Sequence, residues 1–535
     1  MTSPWRQQKE HRNMDWQSFS ERLYRFPQIG VSLDFSGMGM DDSWLASMQP
    51  SVTQALAEMA ELERGAIANI DEQRMVGHYW LRAPNIAPDP ALGQAIRRDL
   101  AHVTEFASQI LSSERKAPSG KPFARVLLVG IGGSALGPQF VSDALSSVAS
   151  MPIAFLDNTD AEGIHRVLEG LGEELAQTLV VVISKSGGTA ETRNGMLEVR
   201  ARFAGAGLDF SSQAVAVTGI NSALEKLARQ EGWLDILPMY DWIGGRTSLF
   251  SAVGLLPAAL QGIDVNSMLQ GAAEMDSQTR VATLAENPAL LLALAWHRAG
   301  NGHAERNMVI LPYRDRLGLF SRYLQQLVME SLGKALNRQG VVVHQGLTVY
   351  GNKGSTDQHA YVQQLRDGPA DFFVTFIEVL NDGVSEPLEV KPGINTGDYL
   401  YGFLRGTRSA LNESGRQSLV LTLDALNARS LGALIALYER AVGFYATMID
   451  VNAYHQPGVE AGKKAAEEVL AMQVQLLHIL SQADSRMSIR ELADKLGGSG
   501  REEEVYCLLR RLSANGRVQL SGEPGALAGI RAAII

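Results

Sequence analysis

A short polar segment rich in hydroxyl groups follows an apolar run in VVVISKSGGTAET, residues 180–192. It carries Ser184, Lys185, Ser186 and Thr189. Hydroxyls, free backbone N–H groups and one cation at the carboxyl end of a strand suit a terminal phosphate group. The alternative is a helix capped by a hydroxyl beside a solvated lysine, but a cap needs only one of the three hydroxyls. The segment therefore predicts a phosphate site.

A glycine-rich turn in VLLVGIGGSALGP, residues 126–138, is a second candidate for anion binding. Gly130, Gly132 and Gly133 follow an apolar run and precede a predicted helix. Glycine lets the backbone approach a ligand, and the N-terminus of a helix favours an anion. We therefore select Gly133 and Ser134 as substrate contacts. A strand-to-helix turn without a ligand is the alternative.

The same turn raises the possibility of a dinucleotide-binding dehydrogenase. Asp157 ends the next apolar run, where an acid that binds a ribose would lie. However, Gly130, Gly132 and Gly137 do not have the spacing of a dinucleotide fingerprint, and the turn lacks the Gly-Lys-Ser/Thr sequence of a nucleotide phosphate loop. The second phosphate loop also disfavours this interpretation.

Six motifs occur in an order that resembles the glucose-6-phosphate isomerase family: GIGGSALGP, SKSGGTAET, GGRTS, MESLGK, STDQHAYVQQL and QPGVEAGKK. They span roughly residues 120–465. The resemblance implies two doubly wound α/β sugar-isomerase domains and a homodimer. It also implies reversible conversion of glucose 6-phosphate to fructose 6-phosphate by ring opening and a cis-enediolate intermediate.

Glu330 in LVMESLGK matches the catalytic base of that family. Isomerisation needs a base that takes a proton from C2 and returns it to C1, while charge accumulates on an enediol oxygen. Without the surrounding motifs, Glu330 and Lys334 would be interpreted as an ordinary ion pair on a helix surface. Gln326 lies one helical turn before Glu330 and matches a substrate-binding position of the family.

Arg246 follows two glycines in DWIGGRTS, so its backbone can come close to a ligand. It matches the family residue whose permanently charged guanidinium stabilises the enediolate. A structural salt bridge is the alternative. The family commonly has an aromatic residue where this sequence has Thr247, which leaves the shape of the pocket open.

His359 and Lys463 match the residues that open the sugar ring in the family. A histidine suits proton transfer near neutral pH. Taken alone, STDQHAYVQQL would indicate a hydrogen-bonded loop histidine. In the family this histidine reaches into the site of the neighbouring subunit, which would make dimerisation part of catalysis. Gln456 matches a contact on the phosphate side.

The elements that carry these residues are predicted to be alternating strands and helices. Four apolar runs lie at residues 124–130, 152–157, 178–184 and 213–219. Helical patterns follow them, which indicates a parallel, doubly wound α/β layout. In a second block, NMVILP, GLTVYG and FFVTFIEVL are predicted strands, and SRYLQQLVMESLGKALN is a predicted helix. Further helices are predicted over residues 428–446 and from Pro457.

The chain is long enough for several domains. We predict a helical N-terminal segment over residues 1–100 and a first sugar-isomerase domain over residues 101–275. A second such domain covers residues 276–465, and a C-terminal extension covers residues 466–535. The extension resembles one in cyanobacterial and plastid members of the family, and the chain as a whole resembles the bacterial or cyanobacterial type.

The C-terminal extension is predicted to resemble a winged helix. Ser488 and Glu491 have the spacing of a capping box, and a turn at residues 515–516 precedes a short strand. From residue 485 onward there are eight Lys or Arg and six Asp or Glu residues. This small excess gives weak support for nucleic-acid binding, so a packing or interface role is favoured.

Composition excludes several classes of protein. A net charge of −10 argues against a general polyanion binder. No apolar run approaches the ~20 residues of a membrane helix, and the first residues lack a signal-peptide pattern. The single Cys507, expected to be a buried thiol, cannot form an intramolecular disulfide. We therefore expect a cytoplasmic protein with a sugar-phosphate substrate and no nucleic-acid or membrane partner.

Neither a metal nor a cofactor is expected, because no convincing cluster of His, Cys and carboxylates has metal-ligand spacing. A non-catalytic protein that senses sugar phosphates could share the fold and the phosphate loop. The presence of Glu330, Arg246, His359 and Lys463 together argues against it, because a sensor has no use for a base, an oxyanion cation and a ring-opening pair.

Overall fold

The structure is a computed structural model that describes residues 16–498, 500–523 and 526–535, without the side chains of 459–461. Contacts divide the chain into two compact units, Met1–His455 and Gln456–Ile535. The predicted start of the extension at residue 466 stays a prediction and falls within the second of these units. The division at residue 275 stays a prediction, although helix Val265–Thr279 runs across that position.

A parallel five-stranded sheet carries both predicted anion loops. Helices follow its first four strands along the chain: Leu136–Leu145, Ala161–Leu171, Ala190–Gly205 and Ala223–Glu231. Leu127 and Val129 face one hydrophobic core, whereas Val126 and Leu128 face the other. Both faces are thus covered, which confirms the doubly wound prediction. Across the sheet the strands are Ile153–Leu156, Arg125–Val129, Thr178–Ser184, Ala214–Gly219 and Asp235–Met239.

The strand order of this sheet places the two predicted loops side by side. Arg125–Val129, first in the chain, lies between the second and the third strand, Thr178–Ser184. In open α/β sheets, ligands bind at the carboxyl ends of strands where the order reverses. Segments 130–134 and 185–189 leave their strands at this position.

A second sheet has six strands, of which four are parallel and repeat the same strand order. The other two come from the N-terminal segment and run antiparallel at one edge. The prediction that residues 1–100 are helical is therefore incomplete. Across the sheet the strands are Leu23–Phe26, Val31–Gly37, Ser418–Leu423, Phe372–Val379, Asn307–Pro312 and Val349–Tyr350.

Buried helices fill the space between the sheets. Helix Ala428–Met448 packs against Val265–Thr279 and Pro288–Gly300, and most of its residues are buried. The other helices of this unit are Trp16–Arg22, Asp42–Ser47, Gln49–Glu63, Pro90–Leu111, Ala252–Leu260, Phe320–Leu324, Val362–Asp367 and Thr396–Glu413. Three hairpins pair Ile67–Asn69 with Arg74–Met75, Lys334–Leu336 with Val342–Gln345, and Glu389–Lys391 with Ile394–Asn395.

The second unit has the predicted order of elements, and the Ser488–Glu491 capping box is present. Cys507 is exposed, so the expectation of a buried thiol is wrong. Its helix buries Val505, Leu508, Leu509 and Leu512, a stripe that excludes position 507. The helices are Pro457–Ser481, Ile489–Lys495 and Glu502–Ala514, and the strands are Met487–Ser488, Arg531–Ile534 and Val518–Ser521.

Two structural features are absent from the described ranges of the chain. Of the helices in those ranges, none combines the length and apolar composition needed to cross a membrane. No group of three or more His, Cys, Asp or Glu side chains there is arranged to hold a metal ion.

Candidate active site

Side-chain hydroxyls hold the backbone of the hydroxyl-rich loop that follows strand Thr178–Ser184. Ser184 Oγ accepts a hydrogen bond of 3.1 Å from the backbone N–H of Gly187, and Ser186 Oγ accepts one of 3.1 Å from Gly188. Thr189 is the N-cap residue of helix Ala190–Gly205, yet its side chain makes no capping bond. The simple capped-helix alternative therefore lacks its defining contact, and the loop presents hydroxyls beside a helix N-terminus.

Lys185 ties this loop to the segment that leads to Arg246. Its Nζ donates to the carbonyl oxygens of Asp241 at 2.9 Å and Ile243 at 3.0 Å. Burial, with a smaller contribution from the charge of Arg74, lowers the pKa of the lysine. An ammonium group has three donors, so these two bonds leave one N–H for another acceptor.

The glycine turn and the Arg246 turn are in contact. A Cβ atom on Gly133 would overlap the carbonyl group of Gly245, so only glycine fits there without movement of one backbone. Gly132 has φ of +59°, in the left-handed region, and a Cβ on it would lie 3.2 Å from Nε2 of Gln326. Gln326 therefore reaches the turn that precedes Ser134.

Arg246 is buried in the turn Gly245–Thr247, with only 4% of its side chain exposed. Nε donates to Ser331 Oγ at 2.7 Å, and Nη2 donates to the carbonyl oxygens of Ala453 and, at 3.3 Å, His455. Burial lowers the pKa of the guanidinium, against the opposing charge of Glu330. These bonds fix the plane of the guanidinium group.

Glu330 ends a π-helical segment, Gln325–Glu330, that follows the α-helix Phe320–Leu324. Oε2 lies 3.8 Å from Nη1 of Arg246, too far for a hydrogen bond. Oε2 is buried and has no hydrogen-bond partner among the described residues. Isolated π-helical turns occur frequently at functional sites. The carboxylate is thus held beside a cation with one oxygen left for a further ligand.

The structure does not contain the helix surface pair that the spacing of Glu330 and Lys334 suggested. The predicted helix over residues 321–337 ends earlier, and Lys334 begins a strand. Lys334 is buried, and its Nζ donates to the backbone carbonyl oxygens of Glu330 and Ser331, both at 2.8 Å. Sequence reasoning missed Ser331, which lies in the motif MESLGK, and the carbonyl groups of Ala453 and His455, which lie outside the six motifs.

His359 ends the turn Thr356–His359 and is exposed. The preceding Asp357 is buried and accepts hydrogen bonds from Asn352 and the Tyr361 hydroxyl. The imidazole of His359 has no hydrogen-bond partner within the described part of the chain. This arrangement gives a rigid turn with an outward-facing histidine.

Gln456 and Lys463 lie in the second compact unit. Gln456 is the N-cap residue of helix Pro457–Ser481, and Lys463 lies on the second turn of that helix. Both side chains are exposed within the chain. The first unit contains the predicted site residues Gly133, Ser134, Ser184, Ser186, Thr189, Arg246, Gln326 and Glu330.

Comparison with known proteins shows the family of this chain. Residues 34–387 and 408–488 match the family model described as Phosphoglucose isomerase. The chain belongs to the phosphoglucose isomerase family. All twelve predicted site residues lie within the matched ranges of that family.

Relatives named glucose-6-phosphate isomerase match nearly the whole chain. The chain is 56% identical over 517 residues to the one from Nostoc punctiforme, covering 96% of this chain and 98% of the relative. It is 58% identical over 510 residues to the one from Synechococcus elongatus, covering 95% and 96%. Since the Nostoc match covers 96% of this chain, it extends beyond residue 488 into the C-terminal unit.

A solved structure shows the same fold. A crystal structure of a glucose-6-phosphate isomerase from Chlamydia trachomatis has a TM-score of 0.78 and is 26% identical in sequence. The alignment covers 93% of this chain and 95% of that chain. The fold of that structure therefore matches most of this chain.

Proposed function

We propose that this protein interconverts glucose 6-phosphate and fructose 6-phosphate. Membership of the phosphoglucose isomerase family and near full-length relatives of that name support this activity. Within the site, the observation that carries the proposal is the unpartnered Oε2 of Glu330, held 3.8 Å from the Arg246 guanidinium. A carboxylate with a free oxygen beside a fixed cation is what proton transfer through an enediolate requires.

The phosphate group of the substrate is assigned to the hydroxyl-rich loop. Ser184, Ser186 and Thr189 offer hydroxyls next to the N-terminus of helix Ala190–Gly205, and Lys185 has one donor left. The glycine turn before Ser134 lies at the same edge of the sheet. Binding the phosphate there would orient the sugar towards Arg246 and Glu330.

Proton transfer is assigned to Glu330. In the open-chain aldose, Glu330 removes the proton from C2, and the electron pair forms the C1–C2 double bond as charge moves to the oxygen on C1. Arg246 stabilises that oxyanion. The hydroxyl proton on O2 then passes to the neighbouring oxygen on C1, and return of the proton from Glu330 to C1 as the C2 carbonyl forms gives the ketose, so no external reductant or oxidant is involved.

Ring opening is assigned to His359 and Lys463, and a homodimer is part of this proposal. The imidazole is exposed, has no hydrogen-bond partner among the described residues and lies on a turn held by buried Asp357, so it is suited to reach a neighbouring subunit. A mixture of Glu330→Gln and His359→Gln subunits tests this, because one site of a hybrid dimer would regain both residues. Activity that rises after subunit exchange supports shared sites, whereas activity that stays at the level of the separate variants argues against them.

We also propose the cytoplasm as the working compartment, since a single exposed cysteine is compatible with reducing conditions. The C-terminal unit is proposed to serve in packing or at an interface.

A coupled assay for formation of glucose 6-phosphate from fructose 6-phosphate tests the activity; no metal is added, and a nicotinamide nucleotide is present only as the oxidant of the coupling dehydrogenase. Turnover by the wild type supports the proposal. A folded protein that binds fructose 6-phosphate without converting it would favour a sugar-phosphate sensor.

A further inference from the structure

Lys334 is a buried cation next to the catalytic pair that the isomerisation mechanism does not use. Only 6% of the residue is exposed. Its Nζ donates to the carbonyl oxygens of Glu330 and Ser331, each at 2.8 Å. These are carbonyl groups at the end of the helical segment that carries Glu330, where the backbone runs out of internal donors. Lys334, the first residue of the strand that follows, therefore supplies hydrogen-bond donors to the carbonyl groups at the end of that segment.

The contacts of Lys334 continue to Arg246. Ser331, whose carbonyl accepts from Lys334, also accepts through Oγ the 2.7 Å hydrogen bond from Arg246 Nε. Lys334 thus donates hydrogen bonds to the backbone of Glu330, the base, and of Ser331, which holds the guanidinium of Arg246. Movement of its amine would loosen the end of the Glu330 segment and the support of the guanidinium together.

Packing alone does not explain a lysine at this position. Burying an ammonium group is costly unless it is paired, and no carboxylate is hydrogen-bonded to Nζ in the described structure. The charged groups that face it are Arg246, Glu330 and Asp71. A methionine of similar length would fill the space without a buried charge.

We propose that Lys334 is a positioning residue that fixes Glu330 and Arg246 for isomerisation and adds positive charge where the enediolate forms. The proposal rests on the proposed function of this site.

A pH dependence follows from the same surroundings. Burial, followed by the charge of Arg246, lowers the pKa of Lys334 to about 8, against the opposing charges of Glu330 and Asp71. Above this pH the amine keeps two N–H donors for the two carbonyl groups but loses its charge. Turnover by the wild type is therefore expected to decline as pH rises through about 8.

The test compares three variants in the coupled assay between pH 6 and pH 10. Lys334→Met removes donors and charge, Lys334→Arg keeps a charge that does not titrate, and Lys226→Met is an exposed-lysine control. Lys334→Met is expected to lower kcat about 10- to 100-fold, with KM for fructose 6-phosphate little changed and no decline near pH 8. Lys334→Arg is expected to remain active without that decline, and Lys226→Met to match the wild type.

Wild-type kcat in Lys334→Met, or a decline near pH 8 that persists in Lys334→Arg, would overturn the proposal. Circular dichroism and thermal unfolding establish whether each variant is folded. If Lys334→Met fails to fold, the pH profiles of the wild type and Lys334→Arg decide. A wild type without isomerase activity at any pH would overturn the proposed function itself, a result distinct from loss in the variant alone.

Discussion

Replacement of Gly133 by alanine is predicted to reduce turnover by displacing the turn that carries Arg246. The new Cβ would overlap the carbonyl group of Gly245, a backbone group that cannot rotate away. One of the two backbones must therefore move. Overpacking of this kind costs about 1–3 kcal/mol of unfolding free energy. A shift of about 1 Å in the guanidinium would lower the rate about 100-fold.

The assay is steady-state kinetics with fructose 6-phosphate, together with thermal unfolding of the same preparations. Gly170→Ala is the matched control, because a Cβ there has no heavy atom within 4 Å in helix Ala161–Leu171. This control is expected to retain wild-type kcat and to gain about 0.5–1 kcal/mol of stability. A Gly133→Ala variant with wild-type kcat and unfolding would refute the idea that this contact fixes Arg246.

Two further predictions concern buried charges. Arg246→Lys keeps a cation but loses the planar guanidinium group that donates a hydrogen bond to Ser331. The kcat is therefore expected to fall about 10²- to 10³-fold. A kcat within a factor of two of the wild type would contradict this. Burial raises the pKa of Asp276, but Arg440 and Arg82 outweigh it and hold that pKa at about 2. The unfolded chain therefore binds a proton at Asp276 more readily than the folded chain does. The contribution of Asp276 to the free energy of unfolding is complete above about pH 4 and falls towards pH 2. Acid unfolding by circular dichroism checks this, and stability independent of pH in that window would contradict it.

The first sheet was largely predictable because its strands are buried on both faces. TLVVVIS coincides with strand Thr178–Ser184, whose residues are all buried. Such an apolar run, ended by glycine and hydroxyl residues, has few other structural solutions. Asp235–Met239 was missed because it is short, lies at the edge and contains Pro238, which edge strands tolerate.

The N-terminal strands could not be inferred from local sequence. Val31–Gly37 contains Asp34, a residue that is rare in strands and costly to bury. Its carboxylate is paired with Arg408 at 2.5 Å, and the strand itself pairs with Ser418–Leu423. Both partners lie far away in the sequence, so tertiary contacts decide the structure of this segment.

At the site, motifs indicated which residues matter but gave little of their geometry. The spacing of Glu330 and Lys334 suggested a continuous helix, because four residues separate neighbours on a helix face. Instead the helix widens to a π-helical segment and ends before Lys334, whose amine turns to the backbone. No local pattern distinguishes a continuous helix from the observed π-helical segment. The contacts that stabilise the end of this segment come from Arg246 and from the strand that begins at Lys334.

The most direct test of the account is removal of the base while its size is kept. Glu330→Gln is predicted to retain the fold and to lower kcat by at least about 10²- to 10⁴-fold. With glucose 6-phosphate carrying deuterium at C2, the wild type should release deuterium to water or transfer it to C1, and the variant should do neither at a comparable rate. Isomerisation and deuterium movement at wild-type rates in Glu330→Gln would contradict the assignment of Glu330 as the base.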